Sequence, residues 1–164
     1  MILIGTYEMP QRKYEFLHRK EDEKPIYQKQ DGQRFTQPHT TKLNVNSTYA
    51  VKVVIRPPEK LKELVIQGES IELEELTTED EDCITYSSHF NTSGYDLSRR
   101  QKRKEVPLLF LFEGHTLIAT LQCKFYKENE VEHCHWGHTL TWLEYECKVE
   151  DGSSHVDVLK EKYL

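Results

Sequence analysis

Apolar and polar residues alternate with a period of two along most of this chain, the mark of half-buried strands rather than of helices. Tyr49, Val51, Val53 and Ile55 fall on one face of a segment closed by Pro57-Pro58, since proline has no N–H to give to a ladder. Leu64-Val65-Ile66 and the Ile71/Leu73 pair flank Gln67-Gly68-Glu69 and predict a hairpin. Ile84, Tyr86, Ser88 and Phe90 continue the alternation, and residues 141–147 repeat it. Leu108-Leu109-Phe110-Leu111-Phe112 is instead an unbroken apolar run behind Pro107, the pattern of a strand covered on both faces. Residues 116–126 read as one long strand.

Near the start, Tyr14, Phe16 and His18 share one side of an expected first strand. Pro25-Ile26-Tyr27-Gln28 then leads to Asp31-Gly32, a strong signal for a tight hairpin turn. Residues 156–162 alone are expected to form a turn or two of helix. Eight to ten short strands with regularly spaced turns predict an all-β fold, a single antiparallel β-sandwich or barrel spanning residues 1–164.

Charge and composition narrow the function classes. The net charge of −6 argues against a nucleic-acid partner, because such binding rests on neutralising phosphates. No window of about 18 apolar residues is present to make a transmembrane helix. A basic start followed by a long apolar run is also missing, so no secretory leader is expected and the four cysteines should stay reduced. Two runs stand out: acidic Glu79-Asp80-Glu81-Asp82 and basic Arg99-Arg100-Gln101-Lys102-Arg103-Lys104. Both suit solvated loops. The basic run, through Arg99, Arg100, Lys102, Arg103 and Lys104, also suits contact with anionic lipid headgroups or an acidic peptide.

The densest chemistry lies between Lys124 and Lys148, which holds His133-Cys134-His135-Trp136-Gly137-His138. In a strand, His133 and His135 would project to the same face and begin a zinc or iron site. Thr139 and Leu140 stand where a jelly-roll metalloenzyme would supply a glutamate, so neither metal nor cofactor is expected. A metal-dependent jelly-roll enzyme using His133 and His135 is retained only as an alternative. No G-x-S-x-G, P-loop or G-x-G-x-x-G occurs, and no cysteine has a catalytic context, so no catalytic residue is assigned. The aromatics remain. Most should fill the core, while Phe35, Phe125, Trp136 and Tyr145 are the candidates for lining a strand-edge site or an inter-sheet cleft.

Asp31-Gly32-Gln33-Arg34-Phe35, Thr41-Lys42-Leu43, Ser47-Thr48-Tyr49, Lys124-Phe125-Tyr126, His133-Cys134, Trp136-Gly137 and Glu144-Tyr145-Glu146-Cys147-Lys148 occur in this order. As an ordered set they resemble the cannabinoid receptor-interacting protein 1 family, from about Pro25 to the C-terminus. Residues 1–24 depart from it, which marks a divergent paralogue or distant orthologue. The resemblance implies a sandwich or barrel similar to Rho GDP-dissociation inhibitor and a non-enzymatic, cytoplasmic regulator. It implies binding to the intracellular tail of the type-1 cannabinoid receptor or a related receptor, with modulation of its signalling. Inhibitory G-protein subunits and acylated peptides are further implied partners. By fold analogy, a carrier of lipid or acylated peptide is the alternative. Contact with the membrane would be peripheral, at the inner face of the plasma membrane.

Overall fold

Alternating burial builds thirteen strands among the described residues, which are 16–19 and 25–164 of the computed structural model. One sheet has four strands in the order β1 (Phe16–Arg19), β4 (Thr48–Ile55), β8 (Ile84–Asn91) and β7 (Glu74–Leu76). The other has seven. It runs β11 (His138–Leu140), β2 (Ile26–Gln30), β3 (His39–Asn44), β10 (Thr116–Tyr126), β9 (Lys104–Leu111), β5 (Glu63–Ile66) and β6 (Glu69–Ile71). A separate hairpin joins β12 (Leu143–Val149) to β13 (Val156–Tyr163). The all-β expectation holds, with one departure: β3 and β10 run parallel, pairing Thr41 with Cys123 through Asn44 with Tyr126.

The period-two reading places the core well. Tyr49, Val51, Val53 and Ile55 of β4 are buried, as are Tyr86 and Phe90 of β8 and Leu143, Tyr145 and Cys147 of β12. They join Leu43, Leu108, Phe110, Leu121 and Phe125 in one apolar cluster that draws on both sheets and the hairpin. The Gln67-Gly68 turn between β5 and β6 has φ of 54° and 81°, the left-handed pair that a two-residue hairpin needs.

Four expectations are corrected. The β9 run is not covered on both faces: Val106, Leu108 and Phe110 point inward, whereas Leu109 and Leu111 are only half-buried. Asp31-Gly32 opens an eight-residue connection rather than a tight turn, closed by the Asp31 N–H donating to the Pro38 carbonyl at 2.7 Å. Residues 156–162 form β13, not helix. A short isolated helix is marginal in water, while the β12 ladder and cross-strand ion pairs from Lys162 to Glu144 and Glu146 favour the strand.

The fourth correction concerns two proposed contact residues. Phe125 and Tyr145 are 1% and 2% exposed, so their rings pack the interior instead of facing a partner. Of the first strand, only residues 16–19 are described; Tyr14 and most of the divergent 1–24 region lie outside the described residues. The different roles of the aromatics are measurable by urea denaturation. Phe125→Ala should cost about 3–5 kcal/mol through the cavity it leaves. Trp136→Ala, at a solvent-facing site, should stay within about 0.5 kcal/mol.

Candidate binding groove on the outer sheet face

Strand pairing fixes which side chains share the outer face of the seven-stranded sheet, because paired residues point the same way. Leu43, Cys123 and Phe125 face the core, so their strand neighbours Lys42, Lys124 and Tyr126 face out. Tyr27 of β2 pairs with Lys42 and joins them. Lys29, Thr40 and Gln122 lie on the same side two residues along. Two loops fold over this face, residues 127–137 and residues 31–38.

The first loop is pinned at many points. Asn44 donates its side-chain amide to the carbonyls of Lys127 and Glu130 at 2.7 and 2.9 Å. Glu130 turns back and accepts the N–H groups of His133 and Cys134 at 2.9 and 3.0 Å. Burial works against that carboxylate, yet these hydrogen bonds and His133 hold its pKa below the ordinary value. His135 N–H donates to the Val131 carbonyl at 2.9 Å, closing a single helical turn. Lys42, buried beneath the loop, donates to the carbonyls of His133 (2.7 Å) and Trp136. Burial lowers its pKa, and the charges of Lys29 and Lys124 push the same way.

This turn overturns the strand expected at His133-Cys134-His135. Glu130 captures two successive N–H groups that a β-ladder would have used, so the two histidines share no face. His133 is exposed beside Glu130, while the His135 ring stacks on Tyr27 at 5.9 Å and 16°. Among the described residues, no three His, Cys, Asp or Glu side chains converge to hold a metal ion.

Trp136 ends the turn and is 70% exposed, with the Lys42 ammonium 5.4 Å from its ring centre. The chain then passes Gly137 at φ 120°, where an added Cβ would lie 2.8 Å from the Gln28 carbonyl oxygen. Only glycine tolerates both that angle and that approach. Between Trp136 and β2 runs an open groove of about 720 Å³, lined by Tyr27, Lys29, Lys42, His135 and Trp136 among others. Among the described residues, no carboxylate lines it.

The second loop is tied down by an internal ion pair. Arg103 sends Nε and Nη2 to Asp31 Oδ2 at 3.1 and 2.9 Å, and Thr40 donates to the same oxygen at 2.6 Å. Burial alone would raise the Asp31 pKa; the Thr40 and Arg103 hydrogen bonds, with the charges of Arg103 and Lys29, bring it below its ordinary value. Phe35 lies beneath the Arg103 guanidinium at 4.2 Å and beside Arg34 at 5.7 Å.

The basic run therefore divides. Arg103 is committed to Asp31 and Phe35, and Lys104 packs over the Tyr95 ring at 4.5 Å, so neither is a free surface charge. Arg99, Arg100 and Lys102 are exposed and make no ion pair with a described residue. The structure thus brings Phe35 to the basic loop, sets Trp136 in a separate groove, and buries Phe125 and Tyr145. Sequence reasoning missed Tyr27, Lys29, Lys42, Asn44 and Glu130. The one available signal was a lysine between two inward-facing residues of β3.

Two outcomes test this architecture. Because folded Asp31 binds its proton less tightly than the unfolded chain, its stabilisation is present above the ordinary pKa of 3.8 and disappears as pH falls through the lower folded value. Asp31→Asn should cost about 3 kcal/mol at neutral pH, and the gap between its stability and that of the parent should narrow as pH falls below 3.8. Gly137→Ala should strain the turn by about 2 kcal/mol and speed amide exchange at His138, Thr139 and Leu140.

Comparison with known proteins matches this framework to a family. The family model described as CB1 cannabinoid receptor-interacting protein 1 matches residues 15–163. The proteins of that name from Bos taurus and Homo sapiens are each 34% identical over 143 residues, covering 85% of this chain and 87% of theirs. The Rattus norvegicus protein is 33% identical over the same coverage. The chain belongs to the CB1 cannabinoid receptor-interacting protein 1 family.

Proposed function

We propose that the protein is a non-enzymatic cytoplasmic binding module that captures the C-terminal tail of a G-protein-coupled receptor and modulates that receptor's signalling. The receptor is of the type-1 cannabinoid kind or related to it, in keeping with the name its relatives carry. One observation carries the reading: an exposed tryptophan on a hydrogen-bonded turn over a groove that no described carboxylate lines, at the edge of a sheet. Tryptophan anchors in fixed positions contribute heavily to binding because little rotamer freedom is lost on association.

Arg99, Arg100 and Lys102, with the exposed Leu97 close by in the same loop, suit the anionic inner leaflet and would keep the groove near a receptor's cytoplasmic end. An acyl chain between the sheets, the carrier alternative, has to displace Phe125 and Tyr145 from the core. The groove needs no such rearrangement.

A fluorescently labelled peptide of the type-1 cannabinoid receptor tail should bind saturably. Trp136→Ala should weaken it by about tenfold or more, while leaving the unfolding midpoint unchanged. An absence of saturable binding by the folded protein overturns the proposal.

A further inference from the structure

Strand β11 covers β2 only from Ile26 to Gln28, and beyond it the chain turns away at Gly137. The edge of β2 at Lys29 and Gln30 therefore has no strand beside it among the described residues. This open edge forms the floor of the Trp136 groove. An exposed edge is a template for a further strand, and natural proteins guard such edges unless they use them.

The side chains around the edge specify what that strand carries. Tyr27, Lys29 and Lys42 share the outer face, Trp136 stands over Lys42, and His135 stacks on Tyr27. Lys29 and Lys42 are the ammonium groups of the lining among the described residues, and no described carboxylate lines the groove beside them. Lys29 approaches Asp31 at 3.4 Å, but that carboxylate already receives Arg103 and Thr40. Lys42 spends donors on two carbonyls and feels the Glu130 carboxylate, which lies outside the lining and is held by the His133 and Cys134 N–H groups. Lys124, paired with Lys42 in the ladder, adds a third cation to the same face.

We infer that the groove binds an extended acidic peptide, which adds to the open edge of β2 in line with β11. Its backbone pairs along Lys29 and Gln30. A carboxylate of the peptide sits over Lys29; Thr139 of β11 already stands opposite Tyr27, so the peptide leaves the edge there and lays an aromatic or large apolar residue along the groove against Trp136. The recognised pattern is an acidic residue close in sequence to an aromatic or large apolar residue. This rests on the reading of the groove as a peptide site and adds the mode of capture and the chemistry of the captured segment.

The probe is the blocked heptapeptide Thr-Glu-Thr-Phe-Thr-Glu-Thr, compared with a counterpart carrying lysine for each glutamate. Titration is followed by calorimetry and by the indole N–H signals of Trp136 and Trp142 in amide correlation spectra. The acidic peptide should bind saturably, at least about tenfold tighter than the lysine peptide, and should shift the Trp136 signal but not that of Trp142. Trp136→Ala and Lys29→Glu should each weaken it by about tenfold, and Arg100→Glu, in the exposed basic loop, by less than about twofold. Spectra of each variant verify that it is folded.

Equal binding of both peptides, or unchanged affinity in Trp136→Ala and Lys29→Glu, overturns the inference. So does an equal loss in Arg100→Glu, which would mark diffuse charge attraction. Should the receptor-tail peptide bind through Trp136 while neither heptapeptide binds, the acidic-strand inference fails and the receptor reading stands. Should the acidic heptapeptide show the expected variant pattern while the receptor tail does not bind, the receptor reading fails and this inference stands.

Discussion

Four consecutive residues of β3 run parallel to four of β10, and the outer surface is organised by that pairing. A parallel pair cannot come from a tight turn; it needs a long excursion of chain between its strands. Here the excursion contributes the entire four-stranded sheet, apart from β1, together with β5, β6 and β9 before the chain returns. The return places Lys42 beside Lys124 and Asn44 beside Tyr126. Both covering loops gain their anchors in this way. Asn44 and Lys42 hold residues 127–137, while Thr40 and Gln122 hold residues 31–38.

The outer face consequently buries polar groups outside the apolar core. Gln122 exchanges hydrogen bonds with Gln37, accepting from its N–H at 3.1 Å and donating to its carbonyl at 2.9 Å. Thr40, Asp31 and Arg103 form a closed set at its side. Such groups are costly to bury unpaired, so pairing them defines the loop positions closely. A surface tryptophan on a mobile loop would surrender its freedom on binding. Trp136 sits on a loop already fixed by Lys42, Asn44 and Glu130, and Gly137 sets where it ends.

Strand assignments from periodicity succeeded where one face meets the core and the other meets water, as in β4, β8 and β12. The Gln67-Gly68 turn was legible because a two-residue hairpin makes a strict demand on backbone angles. Reading failed where a distant group competes for the backbone. Asp31-Gly32 carries a tight-turn signature, but Asp31 is drawn to Arg103, 72 residues away. His133 and His135 sit in alternation, but Glu130 takes the N–H groups that a strand would need. At the C-terminus, the ladder to β12 decides in favour of a strand.

By itself the sequence determined the all-β character, the inward face of the main strands and the family. These follow from local side-chain periodicity and from ordered residue identities, neither of which depends on knowing which segments meet. Tertiary structure alone decided that Phe125 and Tyr145 fill the core, that Arg103 serves Asp31, and that Trp136 stands with Lys29 and Lys42 around the end of β2, beside which no described strand lies. Each of those outcomes depends on which strands become neighbours, and here the deciding neighbours are more than 70 residues apart in the chain.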